Sequence, residues 1–171
     1  MKELTLYAYS FRSRAERVIW TLKELDYSYE LIRLDPFKDE ANTPEFRQLN
    51  PSGKIPVLLH GDKSLTESVA IMEYLNDISE QRALVPTNPD EAYNYHKVMS
   101  YGLTEIEPYM WLAEQASRLK QLYAWPDGTY EQAINMVKNN IGPVSEWTEG
   151  RAFIGGNFIE LPSENLMVLS E

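Results

Sequence analysis

The run Ile55-Pro56-Val57-Leu58-Leu59 sets a proline at the mouth of a continuous apolar stretch of strand length. Proline has no N–H to give a sheet ladder, so it is confined to edge strands, strand starts and bulges. A chain that keeps one here has a backbone reason for it, and a cis Ile55–Pro56 bond is a good one. Such a bond turns the neighbouring carbonyl and amide toward a ligand. Ile55 then offers its backbone to an extended, peptide-like molecule in the manner of strand addition.

The sequence on either side fixes what that strand belongs to. Leu4, Leu6 and Ala8 alternate with Thr5, Tyr7 and Tyr9, the period-two pattern of a strand over 3–9. After a turn at 10–13, Ala15, Val18, Ile19, Leu22 and Leu25 recur at helical spacing. Tyr29, Leu31 and Arg33 alternate with Glu30, Ile32 and Leu34, giving a second strand. Strand–helix–strand is a βαβ unit with a right-handed crossover. Residues 36–50 read as a loop with a short irregular helix. The proline-led strand over 55–59, a hairpin turn at 60–63 carried by Gly61-Asp62, and a short strand at 64–65 follow. A third helix is predicted over 67–79, with Ile71, Leu75 and Ile78 on one face.

Pro86 and the Asn88-Pro89 step mark a linker and a new helix start. This predicts an α/β domain over 1–81, a linker over 82–90 and an all-α helical domain over 91–171. The second domain reads as helices over 92–120 and 130–147. Pro108 and Gly142-Pro143 are expected to kink or interrupt them.

Glu67-Ser68 stands where the third helix begins. Free backbone N–H groups there, with the Ser68 hydroxyl, suit a carboxylate, while Glu67 suits an ammonium. Lys54 suits a second carboxylate. An amino-acid head, a peptide body and a terminal carboxylate are the outline of glutathione. Plainer roles stand beside these: Glu67 and Ser68 as ordinary first-turn residues, Ser13 as a helix cap, Arg14 and Arg17 as solvated helix charges. Tyr101, Tyr109 and Trp111 either line a pocket for an apolar electrophile or form a core stripe.

Composition removes other classes. With no cysteine, disulfide scaffolds, thiolate zinc sites and Cys-x-x-Cys redox chemistry are excluded. A net charge of −10 argues against nucleic acid and against anionic membranes. No apolar stretch reaches the roughly 20 residues that span a bilayer, and the N-terminus lacks a signal-peptide layout, so a cytoplasmic protein is expected. His60 and His96 show no ligand spacing, and no metal is expected.

The run "NPSGKIPVL" with "LTES" resembles the glutathione site of the glutathione S-transferase superfamily. "SRAERVIWTLKEL" resembles that family's first helix, and "RAFIGGNF" the segment before its core sixth helix. The resemblance implies a thioredoxin-like βαβ-ββα domain plus an all-helical domain, assembled as a homodimer. It implies that Ile55 meets the cysteinyl unit with Pro56 cis, that Glu67 and Ser68 hold the γ-glutamyl end, and that Lys54 holds the glycyl end. The implied activity is transfer of glutathione, as a thiolate, to an electrophilic small molecule or a peroxide. The alternative is a catalytically impaired glutathione- or protein-binding relative.

Thiol activation in this family uses a hydroxyl beside the N-terminus of the first helix. Aligned on that helix, the usual Ser or Cys position falls on Arg12, and Ser13 comes next. Ser13 is therefore the expected donor, with Arg12 or Arg14 adding positive potential and Tyr7 as the substitute. Without cysteine, no mixed disulfide with glutathione can form. The chain departs from the family after "FIGGNF". Residues 159–165 replace a Thr/Ser-x-x-Asp capping box, Pro162 interrupts a helix begun earlier, and Ser163 would cap a short helix through Leu169. The closing helices are expected to be missing, leaving apolar surface exposed or covered by a partner.

Overall fold

In the computed structural model, which describes residues 3–9, 13–81 and 84–150, the alternation of the first strand organises a four-stranded sheet. Leu4, Leu6 and Ala8 of β1 (Leu4–Tyr9) are buried, while Thr5, Tyr7 and Tyr9 are half-buried, as a two-residue side-chain period requires. The apolar face of α1 (Ala15–Glu24) buries Ala15, Val18, Ile19 and Leu22. The chain returns through β2 (Glu30–Leu34), parallel to β1. The hairpin β3 (Val57–His60) and β4 (Lys63–Thr66) completes the order β2-β1-β3-β4, with β3 antiparallel to β1. α3 (Ser68–Ile78) packs on α1 and buries Ile71, Met72 and Leu75. This is the predicted thioredoxin-like α/β arrangement. Pro56 stands one residue ahead of β3, where its missing N–H costs no ladder bond.

Residues 36–50 hold more structure than one irregular helix. Two 3₁₀ turns, Pro36–Lys38 and Glu40–Asn42, precede α2 (Pro44–Leu49). Asp35 Oδ1 accepts the Phe37 N–H at 2.9 Å, and Thr43 Oγ1 accepts the Phe46 N–H at 3.2 Å. Each cap is followed by a proline in the first turn, the arrangement that starts helices. These elements are too short to show a hydrophobic period, so pattern reading passes over them.

Tyr27 ties the turn after α1 to α3 by donating to the Leu75 carbonyl at 3.4 Å. Burial raises its pKa above the ordinary 10.0. The folded chain thus favours the protonated phenol, and its contribution is complete below 10.0. It is lost as pH rises through the folded value, because the unfolded phenol ionises first. Tyr27→Phe is expected to reduce the loss of Tm between about pH 9 and about pH 11; an unchanged loss would show that other groups carry it.

The chain divides into two units, residues 1–84 and 85–171. In the second, Asn88 Oδ1 caps α4 (Pro89–Tyr101) by accepting from the N–H groups of Asp90 at 2.9 Å and Glu91 at 3.4 Å. The helix predicted over 92–120 is interrupted ahead of Pro108, as expected. It widens earlier into a π turn, Gly102–Ile106, and resumes as α5 (Glu107–Ala116) with Pro108 in its first turn. Proline's ring collides with the carbonyl four residues before it, so the disturbance falls one turn upstream. The Thr104 hydroxyl also donates to the Ser100 carbonyl at 3.0 Å, competing with the helical bond there. The helix predicted over 130–147 divides into α6 (Thr129–Asn140) and α7 (Gly142–Thr148), with Pro143 in the first turn of α7. Val98, Ile106, Val137 and Val144 form the core here, with Tyr101, Tyr109, Met110 and Trp147 against it. The expected terminal helix from Ser163 and the "RAFIGGNF" segment lie outside the described residues.

Candidate functional site

Sheet register gathers the residues that the motifs single out. Tyr7 pairs with Ile32 on one side and Val57 on the other, and Val57 pairs with Thr66. These four residues form one row across the sheet. Past that row, β1 leaves through Tyr9 toward Ser13, β3 is entered through Ile55–Pro56, and β4 leaves through Glu67–Ser68. Because β3 runs antiparallel to its two neighbours, all three segments emerge at the same end of the sheet.

The Ile55–Pro56 bond is cis. Both residues are buried, with Ile55 packed among Ala8, Ala15, Phe46 and Val57. With its side chain held in the core, Ile55 has only its backbone left to present. The preceding turn is built around Asn50, itself buried. Asn50 Nδ2 donates to the Lys54 carbonyl at 2.7 Å, and its Oδ1 accepts from the Ser52 N–H at 3.1 Å and the Ser52 hydroxyl at 2.9 Å. The Lys54 side chain is exposed.

Glu67 caps α3 with φ 65° and ψ 110°, a backbone state that a side chain seldom adopts. Such conformations cost of order 1–3 kcal/mol and collect at functional sites. The first helical bond runs from the Ile71 N–H to the Glu67 carbonyl at 2.9 Å, so the earlier N–H groups have no partner within the helix. Ser68 is buried beside them, and the Glu67 side chain is exposed. An anion and a cation can therefore be met within two residues.

Ser13 stands one residue ahead of Arg14, the N-cap of α1, which has no side-chain cap bond, and the Ser13 Oγ accepts the Ala15 N–H at 3.3 Å. That bond uses an oxygen lone pair and leaves the hydroxyl proton to donate elsewhere. That bond and thiol activation are compatible in one side chain. Tyr7 is half-buried, its ring edge-on to Phe46 at 5.6 Å. Arg12 lies outside the described residues.

The three aromatics expected at a second-substrate pocket have different neighbours among the described residues. Tyr101 lines a groove of about 560 Å³ in the helical unit, with Trp147, Lys97 and the π-turn residues Thr104 and Glu105. Tyr109 packs against the core, and Trp111 lies edge-on to Tyr123 at 6.5 Å. Sequence reading also missed the structural part of Asn50; the Asx-turn tendency of an Asn three residues before a glycine was the available signal. Among the described residues, no helix is long and apolar enough to cross a membrane, and no three His, Cys, Asp or Glu gather to hold a metal.

Residues 2–77 match the family "Glutathione S-transferase, N-terminal domain". Glutathione S-transferase 1 of Dianthus caryophyllus is 36% identical over 114 residues, covering 66% of this chain and 51% of that protein. Glutathione S-transferase Z1 of Arabidopsis thaliana is 31% identical over 144 residues, covering 80% of this chain and 64% of its own length. The chain thus spans less than two thirds of either relative. Among solved structures, the glutathione transferase URE2P6 of Phanerochaete chrysosporium, in complex with oxidized glutathione, superposes with a TM-score of 0.81 at 26% identity. That match covers 96% of this chain and 76% of the other.

Proposed function

Since the chain belongs to the glutathione S-transferase superfamily, we propose that it binds glutathione at this end of the sheet and activates its thiol for attack on an electrophilic small molecule or a peroxide. The observation that carries the reading is the convergence of the cis Ile55–Pro56 segment, the Glu67–Ser68 helix start and the β1–α1 turn past one row of paired residues. In this reading the Ile55 backbone takes the cysteinyl unit. Ser68, the open N–H groups of α3 and Glu67 take the γ-glutamyl end, and Lys54 takes the glycyl carboxylate. Ser13 donates to the thiolate, with Arg12 or Arg14 adding positive potential and Tyr7 as the substitute donor. In this proposal residues 1–81 form the glutathione-binding domain and 91–171 the helical one, with Tyr101, Tyr109 and Trp111 lining the pocket for the electrophile. Family membership extends the proposal to a cytoplasmic homodimer that needs no metal.

A titration of the purified chain with glutathione, followed by Trp fluorescence or calorimetry, tests the reading. Saturable binding is expected, weakened about tenfold in Glu67→Ala through loss of one charge-assisted contact. A folded chain that binds no glutathione would overturn it. A second reading, a glutathione- or protein-binding relative without turnover, is favoured by Arg12 at the position where the family usually has Ser or Cys. Turnover with a generic aryl halide decides between them.

A further inference from the structure

The turn that presents Lys54 and Ile55 is held from behind by a side chain with no part in the ligand contacts proposed above. Arg47, on α2, donates through Nη1 to the Pro51 carbonyl at 2.7 Å and through Nη2 to Asn42 Oδ1 at 2.7 Å. It thereby ties the 50–54 turn to the 3₁₀ turn that ends at Asn42. Gly53 fits under this tie so closely that a Cβ there would lie 2.7 Å from Asn42 Oδ1 and 3.2 Å from Arg47 Cζ. From inside the turn, Asn50 Nδ2 holds the Lys54 carbonyl at 2.7 Å. That carbonyl belongs to the peptide unit whose N–H is that of Ile55. A trans peptide is planar with its C=O and N–H opposed, so fixing the Lys54 oxygen inward aims the Ile55 N–H the other way.

We infer that Arg47, acting with Asn50, is a positioning residue for glutathione: it sets the orientation of the Lys54–Ile55 peptide that receives the ligand backbone. The inference rests on the glutathione reading above. Arg47 acts through Pro51 and Asn42 and touches no reacting atom. The proposed thiol-activating hydroxyl of Ser13 belongs to the β1–α1 turn, a separate segment. Loss of Arg47 should therefore change affinity for glutathione and spare the chemical step.

The test is glutathione titration and steady-state kinetics with an aryl halide, on the unaltered chain and on Arg47→Ala, Arg47→Lys and Asn50→Asp. Arg47→Ala is expected to raise both Kd and KM for glutathione about tenfold while kcat stays within about twofold. Arg47→Lys, able to make one of the two contacts, is expected to fall between. Asn50→Asp removes the donor to Lys54 but keeps the acceptor for Ser52, and should move KM in the same direction. It also keeps the test open should Arg47→Ala fold poorly. If the unaltered chain binds glutathione and Arg47→Ala binds it equally well, the positioning role is wrong while the glutathione reading stands. A fall in kcat matching the rise in KM would likewise overturn it. Absence of binding by the unaltered chain would remove both readings together.

Discussion

Ser13→Ala is expected to lower turnover of glutathione with an aryl halide about a hundredfold and to leave glutathione affinity within about twofold, the pattern of a donor lost at a developing anion. The expectation follows from where Ser13 stands. Its Oγ already accepts the Ala15 N–H at the start of α1, which fixes the hydroxyl beside a helix N-terminus whose open N–H groups favour a nearby anion. In the proposed function the remaining proton donates to the glutathione thiolate. A second readout separates this from loss of the hydrogen bond to Ala15, which alone costs about 1 kcal/mol. The pKa of the bound thiol, followed by thiolate absorbance against pH, should rise in Ser13→Ala and stay put in Tyr7→Phe. Full activity in Ser13→Ala together with its loss in Tyr7→Phe would move the role to Tyr7.

Gly53→Ala is expected to destabilise the chain by about 3 kcal/mol and to abolish measurable glutathione binding. Two costs add. Gly53 sits at φ +64°, where a side chain costs about 1–2 kcal/mol. The added Cβ would also lie 2.7 Å from Asn42 Oδ1 and 3.1 Å from the Ala41 carbonyl oxygen, and overpacking costs about 1–3 kcal/mol. Asn42 has little room to yield, since its amide is held by Arg47 and by Asp39. Relief comes only by moving the 50–54 turn, and Lys54 and Ile55 move with it. Gly128→Ala supplies the comparison: φ is +83° there, and nothing lies within 4 Å of the added carbon. Urea unfolding should show a loss for Gly128→Ala of about 1 kcal/mol, the conformational part alone. Equal losses in the two variants would rule out the steric part of the argument.

Much of the fold lies in local signals. Alternation over β1, the apolar face of α1 and the Asn88-Pro89 cap each act within one turn or one strand, so a reader of the sequence meets them whole. Pro56 is legible for the same reason, because a missing N–H excludes sheet interiors wherever it occurs. The short elements of residues 36–50 escape because caps, not periodicity, specify them. At the candidate site, Ile55, Pro56, Glu67 and Ser68 are proposed from their motif.

Their assembly was not legible in the sequence, because it depends on pairing between distant segments. Only the register that joins Tyr7 to Val57 and Val57 to Thr66 brings three chain segments to one end of the sheet. A one-residue slip would turn every side chain on a strand to the opposite face. The same holds for Arg47, whose partners Asn42 and Pro51 are set by the packing of a turn rather than by any spacing. In the helical unit, the π turn before Pro108 lies between Tyr101, which lines the groove, and Tyr109, and both tyrosines pack on the same core. The sequence by itself determined the strands and the longer helices and marked the candidate site residues, since those follow from local propensity and residue type. Tertiary structure alone decided which of those residues meet, since register, turn packing and helical phase are settled by contacts between segments far apart in the chain.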